Sequence, residues 1–177
     1  MSRPVAFVTG ASRGLGLAFA KQALARGANK VYAGVRNPEA FNVPGIIAVQ
    51  LDVTDEASVR AAAQQCTDTT LLVNNAGIAS VMQGPLDDNM IELSRHLMDT
   101  NYYGVVRVSQ AFAPILAANG GGAIINIGSN SWWEAGAGFP AYATAKSAVH
   151  GLTRTMAREL GDHRIRVNAV VPGWIMT

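Results

Sequence analysis

One cysteine, Cys66, stands in a chain of 177 residues. No internal disulfide can form, so a small bridge-held scaffold is excluded and a reducing cytoplasm is the expected setting. Cys66 falls at the end of a helical stretch and reads as a bystander. Charge is equally sparse. Asp, Glu, Lys and Arg make up 15% of the chain, the formal net charge is +2, and no run of like charges occurs. A nucleic-acid-coating surface and a charged disordered tail are excluded on that ground. No apolar run reaches the ~18 residues that a membrane span needs. The opening MSRPVAFVTG leads almost directly into a strand and a glycine turn, so no secretory segment is expected. His96, His150 and His163 form no ligand-spaced cluster with acids or cysteines. Surface or helix-end positions are expected for them, and no metal site.

What the chain has is apolar material in a regular order. Hydrophobic residues make up 49% of it, enough for one domain with a sizeable core. Strand-like runs cover 5–9, 30–35, 46–51, 70–75, 123–128 and 166–171. They are nearly continuous in hydrophobicity, as strands of a parallel sheet buried on both faces are. Helical patterns separate them at about 14–26, 56–65, 87–97, 99–118 and 140–160. Such alternation predicts an α/β fold, a doubly wound parallel sheet, as a single domain over 1–177.

TGASRGLG (9–16) follows the first strand and opens the first helix. Gly10 permits a tight turn, Gly14 lets the backbone approach a pyrophosphate, and Gly16 lets helix and strand pack closely. The spacing is G-x-x-x-G-x-G rather than the general dinucleotide fingerprint, but the strand–turn–helix context is the required one. An ordinary tight turn is the competing reading. At the end of the second strand, where a carboxylate would take the ribose 2′-hydroxyl of NAD, the chain has Val35 and Arg36. An arginine suits a 2′-phosphate, and Arg13 offers a second cation, so NADP(H) is preferred over NAD(H). The alternative is two solvated surface arginines.

The last helical stretch carries Tyr142, Val149, Met156 and Leu160 on one stripe at ~100° per residue. Lys146 falls inside that stripe, although lysine is almost never fully buried without a partner. Residues four apart on a helix are neighbours, and an ammonium beside a phenol favours the phenolate.

With TGASRGLG (9–16), DV (52–53), NNAG (74–77), Asn101, Ser129, YATAK (142–146) and PGWIMT (172–177) in this order, the chain resembles the short-chain dehydrogenases/reductases, in their single-domain branch. The resemblance implies a Rossmann sheet of strand order 3-2-1-4-5-6 without the family's final strand. It implies four catalytic residues. Tyr142 exchanges a proton with a carbonyl or alcohol oxygen. Lys146 tunes Tyr142 and binds the nicotinamide ribose. Ser129 polarises the carbonyl, and Asn101 holds a water that links Lys146 to solvent. Asn101 also reads as a structural asparagine bonding the backbone, and both roles are compatible. Ser131 is the rival of Ser129, and a strand-end turn bond is the plainer reading of either. Ser12 and Leu15 join the glycines, Arg13 and Arg36 as implied cofactor contacts, with Asp52 and Val53 at the adenine. Asn75, Ala76 and Gly77 are placed near the adenosine ribose, and Pro172, Gly173, Ile175 and Thr177 at the carboxamide and pyrophosphate. Asn75 reads equally well as a brace within the sheet. Trp132, Trp133 and Phe139 either line an apolar substrate pocket or pack a loop.

Relatives continue past the PGxxxT segment. The expectation is therefore a domain incomplete at its C-terminus, with one pocket wall missing and an exposed apolar edge at 166–171. Self-association through the long helices is retained but weakened. The implied function is an oxidoreductase moving hydride between NADP(H) and a small carbonyl or alcohol substrate, with no nucleic-acid or membrane partner. The alternative is a catalytically impaired dinucleotide-binding fragment with a regulatory or scaffolding role.

Overall fold

The computed structural model describes residues 3–79, 84–134 and 137–175. Six strands, β1 Val5–Thr9, β2 Lys30–Val35, β3 Ile47–Gln50, β4 Leu71–Asn74, β5 Gly122–Ile127 and β6 Ile165–Val170, form one parallel sheet. Their order is β3-β2-β1-β4-β5-β6, so the chain reverses its direction of winding between β1 and β4. The expected doubly wound Rossmann sheet is thus the observed one.

Alternation along each strand sorts side chains between two layers. Phe7, Leu72, Ile124, Ile165 and Val167 face α2 (Glu56–Gln65), α4 (Gly104–Ala118) and α6 (Pro140–Glu159). Ala6, Val8, Val31, Ala33, Val73 and Ile127 face α1 (Gly14–Ala25). The first layer centres on Phe7 and Phe112, both fully buried, with ring centroids 4.6 Å apart. Cys66 caps α2 from inside this layer, fully buried, and burial pushes its thiol up to about 12. Among the described residues no helix is long and apolar enough to cross a membrane.

Two expectations need correction. The strands are not uniformly buried on both faces. β6 alternates, with Ile165 and Val167 buried while Arg166, Asn168 and Val170 are exposed, and β3 buries only Val49. The reason is position: both are edge strands among the described residues, and an edge strand covered on one face needs apolar residues only there. The edge at 166–171 is therefore mixed rather than apolar. Nor is the 99–118 stretch α-helical throughout. Asp99–Tyr103 forms a π-helical turn between α3 (Met90–Met98) and α4. Such one-turn widenings concentrate at functional sites, and this one contains Asn101. A further one-turn helix, α5 (Ser131–Glu134), follows β5.

Phe112→Ala removes a ring that contacts Phe7 at the centre of the larger layer, and should lower stability by roughly 3–5 kcal/mol. Urea unfolding would register this as a fall in midpoint with little change in slope.

Candidate active site

All the strands run the same way, and the loops leaving their carboxyl ends gather the candidate residues on one rim. Gly10 to Gly16 follow β1, Arg36 follows β2, and Asp52 and Val53 follow β3. Asn75 to Gly77 follow β4, Ser129 follows β5, and Pro172 and Gly173 follow β6. In open α/β sheets this rim, at the point where winding reverses, is where ligands bind.

The first loop is shaped by close approach. Gly10 has φ +64°, and a Cβ there would lie 2.8 Å from Cα of Ala76. Gly14 also lies in the left-handed region, at φ +56°. A Cβ on Gly16 would come within 2.3 Å of the Gly10 carbonyl oxygen and 2.4 Å of Nδ2 of Asn75. No side chain can occupy either contact, so the loop after β1, the start of α1 and the loop after β4 interlock. Thr9 completes the joint: its Oγ1 accepts from the N–H of Asn75 at 3.0 Å and of Ala76 at 2.9 Å. Asn75 returns bonds from Nδ2 to the carbonyls of Thr9 (3.0 Å) and Gly10 (3.2 Å). Asn75 is thus the brace that one reading expected, and Thr9 is a member that sequence reasoning missed. Its signal was a hydroxyl as the last residue of a central strand.

Ser12, Arg13 and Gly14 remain exposed in front of α1, whose N-terminus has no side-chain cap; Leu15 is half-buried. Arg36 is exposed as well, and its charge helps hold the Asp52 carboxyl below its usual range. The larger cause there is Thr54, whose hydroxyl and N–H both donate to Oδ1 of Asp52, at 2.7 and 2.9 Å. Val53 turns its side chain into the core against Gly104, so any ligand contact from it is through backbone. The exposed loop before an uncapped helix and the absence of room for side chains on Gly10 and Gly16 fit a dinucleotide, with Arg13 and Arg36 exposed beside it.

The chemistry-bearing side chains come from β5, α6 and the π-turn. Lys146 is 5% exposed and its Nζ donates to the Ile127 carbonyl at 2.7 Å. Desolvation pulls its titration down to about 8. Ser129 is 7% exposed and its Oγ accepts from the N–H of Ser131 at 3.2 Å, which leaves the hydroxyl proton to be donated elsewhere. Tyr142 is half-buried; burial pushes its phenol up, and the nearby Ser129 hydroxyl pulls it back. The ammonium that the sequence expected to lower it is turned onto the strand carbonyl, with Nζ 5.8 Å from the centroid of the Tyr142 ring.

Asn101 is fully buried and clamps Ile78 on both sides, its Oδ1 accepting from the Ile78 N–H and its Nδ2 donating to the Ile78 carbonyl, each at 2.8 Å. The backbone-bonding role of this residue is the one observed. A Cβ on Gly77 would lie 2.9 Å from Oδ1 of Asn101 and 3.6 Å from Nζ of Lys146, so Gly77, Asn101 and Lys146 meet at one point.

Of the two serines, Ser129 is the one whose hydroxyl lowers the Tyr142 phenol; Oγ of Ser131 is buried and without a partner among the described residues. His150 is not at a helix end, and it is half-buried rather than exposed. It lies mid-α6, its ring 5.1 Å from that of Trp132 and its Nε2 against Gly128, and burial and Lys146 pull its titration down. The loops after β5 and β6 run side by side, the Asn130 N–H donating to the Pro172 carbonyl at 3.1 Å. Gly173 and Ile175 are exposed beside them, while Thr177 lies outside the described residues. Trp132 and Trp133 pack edge to face at 4.9 Å, and Phe139 meets Trp174 in the same manner at 6.1 Å. The aromatics therefore pack on one another and still leave Trp133 and Trp174 exposed at 55% and 89%. Among the described residues no group of three or more His, Cys, Asp or Glu could hold a metal ion.

The family model described as short chain dehydrogenase matches residues 4–177. The trans-4-hydroxycyclohexanecarboxylate dehydrogenase of Sinomonas cyclohexanicum is 36% identical, over all of this chain and 74% of its own length. The 3-oxoacyl-[acyl-carrier-protein] reductase of Salmonella typhimurium is 34% identical, over 98% of this chain and 74% of its own. A crystal structure of a short chain dehydrogenase from Burkholderia cenocepacia in complex with NADP superposes with a TM-score of 0.91 at 41% identity. That match covers 98% of this chain and 73% of the other.

Lys146 also makes the pH dependence of stability specific. Its proton is held up to about pH 8 in the folded chain, against 10.5 for an ordinary lysine. Below pH 8 both states are protonated, and the full burial penalty, on the order of 3 kcal/mol, weighs on the fold. Between those values the folded chain releases its proton first and the penalty fades. Lys146→Met should therefore gain most over the wild type at pH 7 and lose that advantage as pH rises through 8 to 10. Thermal unfolding of both chains across this range would check the sign.

Proposed function

The chain belongs to the short-chain dehydrogenase family, and from that premise we propose that it is an NADP(H)-dependent oxidoreductase interconverting a small carbonyl compound and its alcohol. The observation that carries this reading is a buried ammonium, Lys146, at the carboxyl rim of the sheet, one helical turn from the Tyr142 phenol and bonded to the Ile127 carbonyl two residues before Ser129.

The nicotinamide cofactor supplies or accepts the hydride when bound. The glycine loop with Ser12, Arg13 and Leu15 would hold its phosphates, Arg36 its 2′-phosphate, and Asp52 and Val53 its adenine side. Asn75 to Gly77, Pro172, Gly173, Ile175 and Thr177 would complete the cradle. The substrate oxygen is received by the Ser129 hydroxyl, whose lone pair is already committed to the Ser131 N–H and whose proton is therefore directed outward. Tyr142 then delivers its proton to that oxygen, or removes it in the reverse direction. Lys146 remains cationic at pH 7, supports the phenolate left behind, and with Asn101 connects it to solvent. The exposed tryptophans beside this rim favour bulky apolar carbonyls over charged ones. The single buried cysteine suits a cytoplasmic setting.

Turnover of a panel of ketones and aldehydes with NADPH tests the reading. Tyr142→Phe should lower kcat by about 10²–10⁴-fold while NADPH fluorescence still reports binding. Turnover unchanged in that variant would refute the assignment. Cofactor choice is tested separately. Arg36→Asp should raise the Kd for NADPH by about tenfold or more, the loss of one charge-assisted contact, and leave NADH binding nearly as it was. Equal effects on both cofactors would exclude Arg36 as the discriminating residue.

A further inference from the structure

We propose that Thr153 is a positioning residue: acting through Asn126, it holds α6 against β5 in the register that keeps the Lys146 ammonium on the Ile127 carbonyl. The basis is a chain of buried side-chain bonds behind the site. Nδ2 of Asn74 donates to Oγ of Ser109 and to Oδ1 of Asn126, each at 2.9 Å. Nδ2 of Asn126 donates to Oγ1 of Thr153 at 2.9 Å, and Thr153 donates in turn to the Val149 carbonyl at 2.7 Å. The chain thus runs from α4 through β4 and β5 to α6, and all four side chains are buried, none more than 6% exposed.

Its direction is fixed by chemistry. The Thr153 proton has the Val149 carbonyl as acceptor, so Thr153 can only accept from Asn126. Asn126 must then present its amide nitrogen to α6 and its oxygen to β4. Asn74 must answer with nitrogen, which strands its own Oδ1, a buried atom without a partner among the described residues. A buried orphan oxygen is destabilising, and a hydrocarbon side chain in its place would avoid it. The fold keeps the orphan and gains a directional tie between the strand and the helix of the site.

That tie has a definite partner. Asn126 and Ile127 are adjacent on β5, and Lys146 and Thr153 lie two helical turns apart on the buried stripe of α6. Strand and helix are therefore joined by two polar rungs, Asn126 to Thr153 and Ile127 to Lys146. Apolar packing alone tolerates small sliding; a second directional rung does not. If the first is removed, the second is free to shift, and Lys146 meets water.

The test compares three variants of the full chain. Its kinetic arm rests on the catalytic reading of Lys146; its spectroscopic arm does not. The chain has three lysines, Lys21, Lys30 and Lys146, so the ¹³Cε resonance of Lys146 can be assigned by substitution and titrated. In the wild type its midpoint should lie near 8. Thr153→Val should move that midpoint towards the ordinary lysine value and lower kcat by about ten- to a hundredfold with KM for NADPH held. Thr153→Ser should restore both. Ser109→Ala breaks the chain at its far end, on α4, and should lower the melting temperature without moving the Lys146 midpoint. If Thr153→Val lowers only the melting temperature, as Ser109→Ala does, Thr153 is structural and the proposal falls. Should Thr153→Val fail to fold, Thr153→Ala removes the same hydroxyl and is read against the same two outcomes. A wild type that turns over no carbonyl compound would count against the catalytic reading alone, since the Lys146 titration decides the positioning role without turnover.

Discussion

A desolvated ammonium on a strand carbonyl is the constraint around which the site is built. Taking a lysine out of water is costly, and among the described residues the bond from Lys146 to Ile127 satisfies one of its three protons. Such an arrangement persists only when the surrounding framework holds it. That framework is visible on every side: Gly77 without a side chain above the ammonium, Asn101 locked to both polar groups of Ile78, and the Asn126–Thr153 rung below. The π-turn at Asp99–Tyr103 belongs to the same framework, because it is the element that presents Asn101 at that point.

The sheet itself was legible in the sequence because its signals are local and repeated. Six apolar runs separated by helical periodicity leave few alternatives, and the glycines at 10 and 16 mark contacts that only glycine can make. The runs 5–9 and 30–35 match β1 and β2 residue for residue. Legibility declined where structure depends on neighbours. The alternation of β6 follows from which face of an edge strand is covered, and the strand's own residues do not reveal their place in the sheet. The π-turn lies in a stretch whose apolar spacing suits an unbroken helix, and nothing in DTNYY distinguishes one widened turn from an ordinary one.

The candidate site divides in the same way. Lys146 stood out because a polar residue in an apolar stripe demands a reason, whereas the roles of Tyr142 and Ser129 came from the family resemblance. The direction in which the ammonium points did not follow, since the acceptor is a backbone carbonyl and every residue has one. Thr9 and Thr153 were missed for a related reason. A threonine in a strand or helix is unremarked until its hydroxyl is seen to bridge two elements, and both do so over long sequence separations. His150 looked like a surface residue and is instead packed between Gly128 and Trp132.

Cys66 leads to a practical consequence. A lone thiol with no exposure, held protonated far above neutrality, is inert to alkylating reagents while its layer stays closed. It sits at the end of α2 among residues that also pack Phe7 and Phe112. The chain therefore carries a built-in reporter: the rate at which a thiol reagent consumes Cys66 measures how often that half of the molecule opens, with no label introduced and no second sulfhydryl to confuse the signal.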